Sequence, residues 1–240
     1  MPLASNSKHT IFFAHVPKCG GSSVEDYLVR RFGGPLSIRN RRDAWAKPRR
    51  GIITSASHIS ATDLEYFLPA NLTYSFALVR DPIERALSQY RFQTGTSKTS
   101  RLSFSAWLNV MIRCARMDPR VYENHIRPQS DLVPADTEFF RLEEGFDSLI
   151  ARLDEVTGTK CPEIEVGHFL NRKTSMAEIR PSRQDIQLLQ EFYAVDFDRF
   201  GYDRRDLSEY KTDPLAKLRR GIAWLLAVGI VWRQRLRWLK

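Results

Sequence analysis

Residues 11–25, IFFAHVPKCGGSSVE, join an apolar run to a helical pattern through a short loop of proline, lysine, glycine and serine. The run IFFAH is almost wholly apolar, as a strand buried on both faces would be. Residues 22–32 then place Val24, Tyr27, Leu28 and Arg31 at helical spacing, with Gly33 suited to a left-handed stop. A loop between a buried strand and a helix N-terminus suits an anion. Glycine lets the backbone approach, the first helical N–H groups lack partners, and the helix dipole favours negative charge. Gly20, Gly21, Ser22 and Ser23 meet those needs, and Lys18 adds a movable cation. A plain tight turn with a solvated lysine is the competing reading. The Walker pattern G-x-x-x-x-G-K-[ST] does not fit, because no lysine follows Gly21. A phosphatase loop around Cys19 would need a closing arginine at position 25, where Glu25 stands and would repel phosphate.

Outward from this loop, short apolar runs alternate with helical periodicity, the signature of βα units and a parallel sheet. GIITSAS (51–57) is expected as a second strand, ATDLEYFL (61–68) as a short helix and YSFALVR (74–80) as a strand. In DPIERALSQYRF (81–92), Asp81 can cap a helix and Pro82 sits where a first-turn proline is tolerated. Phe104, Trp107, Leu108, Met111 and Ile112 mark an amphipathic helix, TEFFRLEE (137–144) a strand, and 146–156 and 183–194 two further helices. Residues 34–50, rich in Arg and Pro, are expected as a surface loop.

The 240 residues, 42% hydrophobic and 27% charged, suit a soluble globular chain. Cys19, Cys114 and Cys161 are odd in number and widely spread, which argues against a disulfide framework or zinc module and fits a reducing compartment. The first ten residues lack an apolar stretch, so no secretory signal is expected. The net charge of +9 is concentrated. Residues 211–240 carry eight Lys and Arg against Asp213, a balance of +7 that leaves +2 for residues 1–210, so the body is no nucleic-acid-binding polycation. Within that tail, GIAWLLAVGIVW (221–232) is flanked by arginines and falls short of the roughly 20 residues a spanning helix needs. It is open to two readings: an interfacial helix on an anionic membrane surface, or a helix packed on protein. The expected division is a domain over 1–210 and an appended segment over 211–240.

A second constellation lies in ALVRDPIERALSQY. Arg80 ends a strand at the edge where parallel sheets bind ligands, and Ser88 follows on the next helix. An arginine fork with a hydroxyl can grip a phosphate dianion. Arg80 paired to Asp81 or Glu84 is the alternative.

Together the two segments resemble the sulfotransferases that use 3′-phosphoadenosine-5′-phosphosulfate, in particular the carbohydrate-type branch that includes heparan sulfate 2-O- and 6-O-sulfotransferases. The family patterns PK-x-G-G-[ST]-[ST] and R-D-P-x-x-R-x-x-S-x-Y are spelled by residues 17–23 and 80–90. NHIRPQ (124–129), FLNRKT (169–174) and YAVDFDRFGY (193–202) look like later landmarks, so the resemblance runs over roughly residues 10–203 in order. It implies a P-loop-like three-layer α/β sandwich with a central parallel sheet flanked by helices. It also implies sulfuryl transfer to a hydroxyl, on a carbohydrate or glycan, by in-line displacement without a metal.

The resemblance assigns Lys18 to the leaving phosphate oxygen, Gly20, Gly21, Ser22 and Ser23 to the 5′-phosphate, and Arg80 and Ser88 to the 3′-phosphate. His58 is the candidate base for the acceptor hydroxyl, since a histidine titrates near neutral pH. His125, with Gln129 nearby, is expected to contact acceptor or organise the site. Arg172, Lys173 and Thr174 form either a loop closing on the donor or a solvated basic loop. His15 is expected to be structural. The alternatives to sulfuryl transfer are a kinase-like phosphotransferase and a non-catalytic nucleotide-binding module held at a membrane. A cytoplasmic location is expected, peripheral at the inner membrane face if the tail is interfacial.

Overall fold

The computed structural model describes residues 2–34, 36, 58–64, 68–96, 102–164, 166 and 179–238. The apolar runs become strands of one sheet in the order β1 (Leu3–Ser5), β2 (Thr10–Ala14), β3 (Tyr74–Val79), β4 (Glu138–Arg141). β2, β3 and β4 are mutually parallel, with Ile11 opposite Tyr74 and Phe76 opposite Glu138, while β1 is antiparallel to β2. Ile11, Phe12, Phe13, Phe76 and Leu78 are wholly buried, and each such side chain contributes about 1.5–3 kcal/mol by leaving water. This is a mixed α/β fold of the P-loop-like kind, its sheet flanked by helices.

The chain forms two compact units, Met1–Arg80 with Gln129–Lys173, and Asp81–Pro128 with Thr174–Lys240. The first holds the sheet with α1 (Gly21–Phe32), α2 (Ala61–Leu64) and α5 (Asp147–Thr157). α1 stops at Gly33 in the left-handed region, its N–H donating to Val29 O. Arg31, on the apolar stripe of α1, is buried and reaches α5, donating to Tyr27 Oη and Asp154 Oδ1 at 2.6 Å and to Thr157 Oγ1 at 2.8 Å. The expected strand over 51–57 lies outside the described residues. β1 was not expected, because two buried apolar residues, Leu3 and Ala4, make too short a run to announce a strand.

The second unit is helical: α3 (Pro82–Thr96), α4 (Phe104–Met117), α6 (Arg183–Phe192), α7 (Ala194–Phe200) and α8 (Ala216–Trp238). Asp81 caps α3 as expected, its Oδ1 accepting from Ile83 N at 2.8 Å and Glu84 N at 3.0 Å. Ser182 and Asp185 form a capping box on α6, and Asp185 also accepts from Ser105 on α4 at 2.6 Å. α7 forms where the sequence suggested only a landmark, with Phe197 and Phe200 buried and Gly201 as its left-handed stop. α8 packs on α4 through Ala223, Ala227 and Val231, and Cys114 Sγ reaches Ala227 O at 3.8 Å. Small side chains at that seam let the two helices approach closely.

Candidate functional site

The loop after β2 has an unusual backbone. Lys18 lies at φ 69° and Gly20 at φ 78°. A non-glycine residue in that region costs about 1–2 kcal/mol, and such strain concentrates at functional positions. Gly20 is the N-cap of α1, no side chain caps that end, and no acid occupies its first turn. The N-terminus of a twelve-residue helix therefore keeps its positive dipole end beside Lys18, Ser22 and Ser23. Cys19, between Lys18 and Gly20, is buried, and its thiol donates to Gln129 Oε1 at 3.2 Å.

The two glycines answer to different neighbours. A Cβ on Gly20 would meet Leu142 Cδ1 at 3.0 Å, and one on Gly21 would lie 2.0 Å from His15 Nε2. Gly21 thus makes room for an internal imidazole. His15 Nδ1 lies 2.7 Å from the buried Glu25 Oε1, and the His15 ring stacks on Phe13. Glu25, the acid that seemed to oppose phosphate, has its carboxylate engaged by His15. His58 stands edge-on to His15, with ring centroids 5.1 Å apart. The candidate base and the glycine loop therefore both adjoin His15.

Arg80 follows directly on β3. Parallel pairing of β2 and β3 puts the residues after Ala14 and after Val79 at one sheet edge, and Arg80 Nη1 lies 3.5 Å from Lys18 O. Gln129 holds this junction. Its Oε1 accepts from Arg80 N at 3.0 Å, and its Nε2 donates to Arg80 O at 2.8 Å. The side chain is fully buried, and its amide positions the Arg80 backbone and the Cys19 thiol. Loop spelling gave no sign of this, because the glutamine is 49 residues from Arg80.

In the second unit, Ser88 is half-buried on α3. His125 Nδ1 lies 2.9 Å from Gln89 Oε1, and its ring stacks on Phe92. The backbone there is braced twice: buried Arg85 donates to His125 O at 3.1 Å, and Tyr193 Oη donates to Ile126 O at 2.8 Å. Burial pushes the Tyr193 phenol up to about 12, so it stays a donor through the neutral range. Tyr122, Glu123 and Asn124 all have positive φ, an irregular backbone leading into His125. Gln89 and Tyr193 were missed as supports because motif spelling gives identity, not contact. Arg172, Lys173 and Thr174 lie outside the described residues. No three His, Cys, Asp or Glu side chains gather as metal ligands among the described residues.

No curated protein and no solved structure matches the chain. A family model does, that of the sulfotransferase family, over residues 2–203. That span contains the strained lysine loop, Arg80 and its glutamine clamp, and the braced histidine turn, and it covers most of the sequence. The chain is an enzyme of the sulfotransferase family.

Proposed function

We propose that the enzyme transfers the sulfuryl group of 3′-phosphoadenosine-5′-phosphosulfate to a hydroxyl of a carbohydrate or glycan. The observation that carries this reading is the juxtaposition of Lys18 and Arg80 beside the uncapped end of α1. The Arg80 guanidinium held against the backbone of Lys18, next to a helix N-terminus with no first-turn acid, suits an anionic nucleotide. The carbohydrate branch rests on the motifs at 17–23 and 80–90 with the later landmarks at 124–129, 169–174 and 193–202, and the assignment of Ser88 to the 3′-phosphate rests on its motif alone.

In the reaction, the acceptor oxygen forms a bond to sulfur as the bond from sulfur to the 5′-phosphate oxygen breaks, the phosphate keeping the electron pair. Lys18 meets the charge that grows on that oxygen, and Gly20, Gly21, Ser22 and Ser23 hold the same phosphate. Such prearranged donors typically supply about 10²–10³ in rate. His58 takes the acceptor proton, with His15 and Glu25 behind it fixing its surroundings. The odd number and wide spread of Cys19, Cys114 and Cys161 support a cytoplasmic setting.

Thermal shift tests the donor. Adenosine 3′,5′-bisphosphate is expected to raise Tm more than ATP with Mg²⁺ or AMP, as binding to the native state requires. An equal response to all three refutes the donor assignment.

A further inference from the structure

We propose that α8 docks the enzyme on an anionic lipid surface, its outward side chains entering the acyl boundary while flanking cations meet lipid phosphates. The inference goes beyond sulfuryl transfer and concerns the second unit alone. At the helical period, Leu218, Ile222, Leu225, Gly229 and Trp232 fall within an arc of about 80°. That arc is centred opposite the Ala223, Ala227 and Val231 stripe that packs on α4. The four large side chains on it are 50–66% exposed, whereas the packed stripe is at most 2% exposed. The seam with α4 therefore fixes which side of α8 faces outward.

Charge selects the occupant. α8 has six Lys and Arg residues and no acid. Lys217 and Arg233 border the apolar arc on either side and have no ion-pair partner among the described residues. Arg219 and Arg235 are answered within the unit by Asp213 and Asp118. A second copy laid on this face would bring cations against cations with no carboxylate on either helix to pair them, and like charges at helix seams repel. An anionic bilayer complements both features, apolar side chains in its boundary and arginines at its phosphates. No described helix is long and apolar enough to cross a membrane, so α8 lies on the surface.

Co-sedimentation of the full chain with vesicles tests the proposal. Vesicles of phosphatidylcholine mixed equally with phosphatidylglycerol should bind the chain, and phosphatidylcholine alone should bind it weakly. Binding should fall with salt and shift the tryptophan emission to the blue. The double change Lys217→Gln with Arg233→Gln should lower partitioning about thirtyfold, at roughly 1 kcal/mol per cation. Leu225→Ser with Trp232→Ser should lower it by a similar factor. Both variants should keep the native Tm, because the altered residues face away from α4. Equal binding to the two lipid compositions overturns the proposal, as does binding to neither. So does a self-associated chain that Leu225→Ser with Trp232→Ser turns monomeric.

Discussion

Replacing Gln129 with methionine removes the clamp on Arg80 while keeping the side-chain volume. The native amide accepts from Arg80 N at 3.0 Å, donates to Arg80 O at 2.8 Å and accepts from the Cys19 thiol at 3.2 Å. The thiol is a weak donor and adds little. The two backbone bonds are lost together, and both Arg80 groups are left facing a thioether. At about 1–2 kcal/mol for each orphaned group in this partly buried setting, the cost is about 2–4 kcal/mol. For a chain of this size that lowers Tm by roughly 4–16 °C. The same change frees the end of β3, so affinity for adenosine 3′,5′-bisphosphate should fall with it. Calorimetric melting and titration of Gln129→Met with that nucleotide measure both effects. An unchanged Tm refutes the clamp. Lowered stability with native affinity refutes the link from the clamp to donor binding.

Gly21→Ala should destabilise by about 3 kcal/mol, because its Cβ would lie 2.0 Å from His15 Nε2 and drive the ring off Glu25. Adding His15→Ala in that background should cost little more, and additive melting shifts would show that the two sites are independent. His58→Ala should reduce turnover by about 10²–10⁴ while the nucleotide still raises Tm as in the native chain; retained turnover removes His58 as the base. Burial alone would raise the Asp118 carboxyl, but hydrogen bonds and charge from Arg120, with the charge of Arg235, hold it below the usual range. Its stabilisation is present above the unfolded value of about 3.9 and is lost as pH falls through the lower folded value. The gap in urea midpoint between native and Asp118→Asn chains should therefore close in acid, and a gap that persists at low pH contradicts the assignment.

Periodicity and spelling determined much by themselves. Strand β3, helices α1, α3, α4, α5 and α6, the Asp81 cap and the Gly33 stop were legible because each depends on residues close in the chain. Lys18, Gly20 and Arg80 were legible as a family spelling. Tertiary structure decided what those residues touch. That Gly21 makes way for His15, that Glu25 faces an imidazole, and that Gln129 grips Arg80 all depend on contacts between segments far apart in sequence. The tail shows the same limit. Twelve apolar residues between arginines suit both a packed helix and an interfacial one, since hydrophobicity does not say what it faces. Only the seam of Ala223, Ala227 and Val231 on α4 divides the helix into a side that packs and a side that remains exposed.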